Sequence, residues 1–219
     1  KEKPDNTFRI FTVGGSTTFG RGENNDDTWP AYLQQIMNEK ITNKNVEVIN
    51  AGISGGLSEH EYNMIKNKLS TLDPDLIIMY DGWNDWEKLP VEKTKQNWES
   101  FCKLGKNKGF DTMIIVQPLT ITGHRVLTTQ EITNSFGLLQ LSPINKSPYL
   151  ETSQQYVDTF KELDETCTIT ADFRGIYDYA QGPIFWDGGH TMSFGNKIIA
   201  GNVFSVISPI YFDKTYSVT

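Results

Sequence analysis

Residues 13–20 read VGGSTTFG and follow FRIFT, a short run with the look of a buried strand. Three hydroxyls, Ser16, Thr17 and Thr18, therefore stand in a glycine-rich turn just past a strand end. Two chemistries use such a turn: a backbone cradle for phosphate, and a hydroxyl presented as a nucleophile. The phosphate patterns fit poorly. Gly15 and Gly20 have the P-loop separation, but Arg21 and Gly22 stand where Lys and Ser/Thr belong. Ser16 likewise occupies the second glycine of a dinucleotide fingerprint. A nucleophilic hydroxyl needs a base, and the base needs a group that orients it. The chain has three histidines. His60 lies in a helical pattern and reads as a solvated surface residue. His124 sits in a long loop with no acidic neighbour in sequence. His190 sits in FWDGGHTMSFGNKIIA, three residues after Asp187, and the Gly188-Gly189 turn can fold that carboxylate back onto the imidazole. A D-x-x-H spacing also suits a metal ligand pair.

An acyl-transfer site further needs converging hydrogen-bond donors for the developing oxyanion. The Ser16 N–H, the Gly55 N–H in AGISGGLS and the Asn84 amide in DGWND are the candidates. Gly55 can instead simply permit a turn, and Asn84 can cap the stretch after it. All three follow successive expected strands.

Those strands are Phe8–Val13, Val46–Asn50, Asp75–Tyr80, Thr112–Gln117 and Cys167–Ala171. Between them run helical patterns. TWPAYLQQIMNEK has Thr28 as its cap and Pro30 in its first turn. SEHEYNMIKNKLSTL opens on a capping box, Ser58 with Glu61, and sets Tyr62, Ile65, Leu69 and Leu72 on one stripe. A third helix covers Val91–Lys108 and stops at Gly109. A fourth begins at Ser147-Pro148 and aligns Tyr149, Tyr156, Phe160 and Leu163. The last starts near Ser193 and ends before Pro209. Strand–helix alternation predicts an α/β fold with a parallel sheet covered on both faces, and ligands in such sheets sit beyond the carboxyl ends of the strands. Residues 118–146 form a longer connection on that side, a candidate substrate loop.

The 219 residues read as one domain, 1–219, with 37% hydrophobic and 21% charged residues. A net charge of −7 argues against nucleic acid or an anionic membrane as partner. No apolar run is long enough for a membrane span. The chain opens on Lys1, so a removed signal or anchor is one reading and a cytoplasmic protein the other. Cys102 and Cys167 read first as two buried thiols, with a single disulfide in an exported protein as the other reading. Asn145-Lys146-Ser147 is a lone sequon weakened by Pro148.

Taken together, VGGSTTFG at Ser16, NAGISGG at Gly55, DGWND at Asn84 and DGGH at Asp187 and His190 resemble the SGNH (GDSL-type) hydrolase family. The four blocks stand in the family's order and span residues 13–190. The first block reads Gly15-Ser16-Thr17 where the name-giving form has Asp-Ser-Leu. The resemblance implies a three-layer α/β/α, flavodoxin-like fold around a mostly parallel five-stranded sheet. It implies Ser16 as nucleophile, His190 as base and acid, and Asp187 orienting the imidazole. It also implies an oxyanion hole from the Ser16 and Gly55 N–H groups and the Asn84 side chain, with no metal or organic cofactor. Gly55 is preferred over Gly56 from the GISG match. The expected activity is ester hydrolysis through an acyl-enzyme. The absence of a long apolar lid, and Trp29, Trp83, Trp86 and Trp186 beside polar residues, favour a small acyl group, acetyl first, on a small-molecule or glycan substrate. Lipase, thioesterase or acyltransferase chemistry stays open. So do a non-catalytic glycan-binding relative and metal-assisted hydrolysis through Asp81, Asp85, Asp187 and His190. Oligomeric state is left open.

Overall fold

Five strands, β1 (Thr7–Gly14), β2 (Asn45–Asn50), β3 (Leu76–Asp81), β4 (Asp111–Val116) and β5 (Ile169–Asp172), form one all-parallel sheet in the order β2-β1-β3-β4-β5. The structure is a computed structural model and describes residues 2–86, 88–135 and 148–212. The sequon at Asn145–Ser147 lies outside the described residues. Each expected strand is present within one or two residues. The order reverses between β2-β1 and β3-β4-β5, so the connections leaving β1 and β3 diverge and open a crevice at their carboxyl ends.

Period-2 alternation builds the two faces of the sheet. Ile10, Ile78, Tyr80, Met113 and Ile115 face α1 (Trp29–Lys40) and α5 (Ser193–Tyr211), where Trp29, Leu33, Ile199 and Val203 are buried. Phe11, Val13, Ile77, Met79, Ile114 and Val116 face the other layer. That layer is α2 (Ser58–Asn67), α3 (Val91–Lys108) and α4 (Pro148–Asp158), contributing Ile65, Trp98, Phe101 and Tyr156. Each fully buried large side chain of this kind contributes about 1.5–3 kcal/mol. Thr28 caps α1 by accepting the Ala31 N–H at 3.3 Å, a contact of about 1 kcal/mol.

Three expectations are corrected. The capping box at Ser58 does not form, because α2 starts one residue earlier, with Leu57 as N-cap and its N–H on His60 Nδ1 at 3.3 Å. Asp85 takes the Ser58 N–H (2.9 Å), and the Ser58 hydroxyl accepts from Asn97 (2.8 Å), so tertiary partners outcompete the local box. The last helix runs through Pro209 to Tyr211. Proline forfeits one N–H there, but Phe212 N–H still closes on Ser208 O at 2.9 Å, and the rings of Tyr211 (tilted) and Phe212 (edge-on) pack against Phe8. Finally, Cys102 of α3 and Cys167 before β5 are joined in a disulfide rather than left as thiols. Among the described residues, no helix is long and apolar enough to cross a membrane.

Candidate active site

The three hydroxyls of the first turn have three different fates. β1 ends at Gly14, and Ser16–Phe19 forms a single helical turn. Thr17 Oγ1 donates to Gln117 Oε1 at 3.0 Å, and Thr18 Oγ1 accepts the Trp29 indole N–H at 3.3 Å. Both hydroxyls are thus tied into the interior, and Trp29, expected near substrate, is a fully buried prop for the turn. Only Ser16 faces a base: its Oγ lies 2.7 Å from His190 Nε2.

His190 is held by its own loop. Asp187 Oδ1 accepts the N–H groups of Gly189 (3.0 Å) and His190 (2.9 Å), while Oδ2 lies 2.7 Å from His190 Nδ1. Burial pushes the Asp187 carboxyl up, but the His190 ring and the two N–H groups outweigh it and bring the pKa down to about 2. An ionised Asp187 fixes the proton on Nδ1 and leaves Nε2 as the acceptor for the Ser16 hydroxyl. The Trp83 and His190 rings meet in a T-shaped contact, with centroids 5.0 Å apart.

The expected oxyanion donors gather beside Ser16. Asn84 is not a cap: it lies inside the helical turn Trp83–Trp86 that follows β3. Its Nδ2 donates to Gly56 O at 2.7 Å, which aims the amide, and Asn84 lines the same cavity as Ser16. Gly15 is required by this approach, since a Cβ there would stand 2.3 Å from Asn84 Nδ2. The two glycines differ in their backbone pairing. The Gly56 N–H bonds Ile53 O at 2.8 Å, whereas Gly55, at φ +73°, lines the cavity. Ser16, Gly55, Asn84, Asp187 and His190 thus share one open cavity of about 620 Å³, with Trp83 and Trp86 also in its wall. The arrangement can pass a proton from Ser16 to His190 while presenting N–H donors to a carbonyl oxygen.

Other candidates are accounted for elsewhere. Asp81 and Asp85 point into the interior, away from Asp187 and His190. Asp81 accepts the Trp98 indole N–H (2.9 Å) and the Gly82 N–H (2.7 Å); Asp85 accepts from Ser58 N–H and the Thr94 hydroxyl. Burial, then the charge of Asp85, pushes Asp81 up to about 8. Among the described residues, no group of three or more His, Cys, Asp and Glu is placed to hold a metal ion. His124 does find a carboxylate, Asp178 at 3.3 Å, but this pair is distant in role and solvent-facing, with His124 93% exposed. Trp186 reaches Glu23 Oε1 (2.7 Å) and is not in the cavity wall.

The long connection after β4 braces the His190 loop. Thr120 donates its N–H (3.0 Å) and hydroxyl (3.2 Å) to Gly188 O, and Ser135 Oγ donates to Asp187 O at 3.0 Å. Glu131, fully buried, accepts the N–H groups of Ile184 (2.8 Å) and Phe185 (3.1 Å) and pairs with Arg125. Sequence reasoning passed over these residues. Thr128-x-x-Glu131 does carry a capping-box signature, and the box forms, with Glu131 Oε2 on Thr128 N–H at 2.8 Å.

The GDSL-like Lipase/Acylhydrolase family profile matches residues 12–193, and the chain belongs to that family of ester hydrolases. No curated protein matches the chain. Among solved structures, a catalytic mutant of Axe2, an acetylxylan esterase from Geobacillus stearothermophilus, is similar at TM-score 0.71 and 15% identity, over 96% of this chain and 97% of that one. The acetyl xylan esterase AlAXEase (TM-score 0.68, 16% identity) covers 91% of this chain and all of its own, 100%. TesA (TM-score 0.67, 19% identity) pairs 92% of this chain with 98% of its own. At such identities these likenesses establish the α/β/α fold alone.

Proposed function

We propose that the whole chain, 1–219, acts as one serine esterase domain that removes small acyl groups, acetyl first, from a carbohydrate. The observation that carries the reading is the continuous Asp187–His190–Ser16 array, with 2.7 Å at each link. Ser16 Oγ attacks the ester carbonyl carbon as its proton passes to His190 Nε2. The carbonyl oxygen becomes the oxyanion and faces the Ser16 N–H, the Gly55 N–H and the Asn84 amide. Collapse expels the alcohol, which takes the proton back from Nε2, and leaves acyl-Ser16. Water then repeats the sequence, giving the free acid and Ser16. Asp187 holds the imidazole and stabilises the imidazolium.

Two features support the substrate class. The cavity is open and walled by Trp83 and Trp86 among polar groups, a surface on which a sugar ring can stack. Two fold relatives are acetylxylan esterases by name. The Cys102–Cys167 disulfide supports an oxidising compartment. The test is turnover of a series of p-nitrophenyl acyl esters and of acetylated xylo-oligosaccharides, by the parent and by Ser16→Ala. Acetyl should be preferred, with Ser16→Ala inactive and folded. A preference for long chains would overturn the acyl assignment, and an active Ser16→Ala the mechanism.

A further inference from the structure

We infer that the alcohol part of the ester carries an anionic group, a carboxylate or phosphate, read by Arg21 and Lys88. Both residues line the same cavity as Ser16 and His190. Their positions follow from the two turns that carry the chemistry. Arg21 ends the Ser16 turn, with its N–H on Ser16 O at 3.0 Å; Lys88 ends the Asn84 turn, with its N–H on Asp85 O at 2.9 Å. The two cations are thus anchored within a few residues of the expected nucleophile and oxyanion donor.

Neither has a carboxylate partner among the described residues. The chain has four arginines. Arg9 pairs with Glu47 at 2.8 Å, Arg174 with Asp172 at 2.7 Å, and Arg125 with Glu131. Arg21 alone among them forms no such pair within the described residues. Among the described residues the cavity wall holds one acidic side chain, Asp187, whose oxygens already accept from His190 and two N–H groups. Glu23, two residues past Arg21, is bonded to the Trp186 indole and does not line the cavity. A chain of net charge −7 thus sets two cations, unpaired among the described residues, around Ser16 against the one carboxylate of Asp187, a local excess of positive charge. A cleft with an excess of one sign raises the local concentration of ligands of the other. An acetyl group has no charge to offer, so the complementary anion belongs to the alcohol, which points to an acylated acidic glycan.

This rests on the acetyl-esterase reading, and the experiment separates the two. Initial rates are measured on three matched acetyl esters: of methyl glucoside, of methyl glucuronoside and of the glucoside phosphate. The parent should favour at least one anionic ester over the neutral one by roughly tenfold in kcat/KM, the scale of two partly exposed ion contacts. The larger of the two preferences identifies the anion. The preference should shrink in about 1 M salt, where the screening length is about 3 Å. In Arg21→Gln/Lys88→Gln the ratio of anionic to neutral ester should fall toward one, each enzyme serving as its own reference. Equal use of all three esters by the parent, or a ratio unchanged in the double variant, would overturn the inference and leave the esterase reading intact. Turnover of none of them would remove that reading and the inference together.

Discussion

Replacing Asn84 separates a transition-state donor from a structural one. Asn84→Ala removes the Nδ2–Gly56 O bond of 2.7 Å and the second amide hydrogen, the proposed oxyanion donor. Loss of the first is a net hydrogen bond of about 1 kcal/mol, which for a chain of this size lowers Tm by roughly 2–4 °C. On the proposed role, loss of the second removes one oxyanion donor, which costs about 10²–10³ in kcat, or roughly 3–4 kcal/mol of barrier. The catalytic loss should therefore exceed the stability loss about threefold in energy, and fall on kcat more than on KM. Asn84→Asp should be at least as slow, because a carboxylate cannot donate to Gly56 O and repels the developing negative charge. Steady-state kinetics on p-nitrophenyl acetate, with melting curves on the same preparations, decide the matter. An Asn84→Asp enzyme with the parent kcat, or an Asn84→Ala enzyme whose slow rate matches only its unfolded fraction, would refute the assignment.

Two further outcomes follow from the structure. Cys102→Ser/Cys167→Ser removes a link closing 65 residues, worth about 4 kcal/mol on the chain-entropy estimate; chemical denaturation should register a loss of that order, and an unchanged midpoint would show the link to be neutral. The pKa of Asp187 is lowered to about 2 in the folded chain, below the unfolded value near 3.9. Its contribution is thus present above about pH 4 and lost as pH falls through 2. Between those values the Tm gap between parent and Asp187→Asn should narrow as acid is added, and a gap that widens would reverse the sign.

The fold and the core of the site were legible because their signals are local. Ser16, Asp187 and His190 sit in short motifs whose glycines and flanking strand and helix are readable within ten or so residues, and strand–helix alternation orders the sheet. What escaped depends on contacts across the chain. Thr17 is claimed by Gln117, 100 residues away, and Ser58 by Asp85, so a hydroxyl count or a capping pattern misassigns them. Trp29 reads as a loop aromatic until the packing of α1 on the sheet buries it. The Cys102–Cys167 pair has no spacing signature, because only the folding of α3 and the entry to β5 together makes them neighbours. The Thr120, Ser135 and Glu131 brace was hidden for the same reason, although the Thr128–Glu131 box marked its helix.

Mapping a covalent adduct shows directly whether Ser16 carries the acyl group, as proposed. The protein is treated with a fluorophosphonate, digested and sequenced by mass spectrometry, with Asn84→Ala and Ser16→Ala alongside. The expected result is a single phosphonylated residue, Ser16, in the parent, slower labelling in Asn84→Ala, and none in Ser16→Ala. An adduct on Thr17 or Thr18, or labelling that persists in Ser16→Ala, would contradict the account.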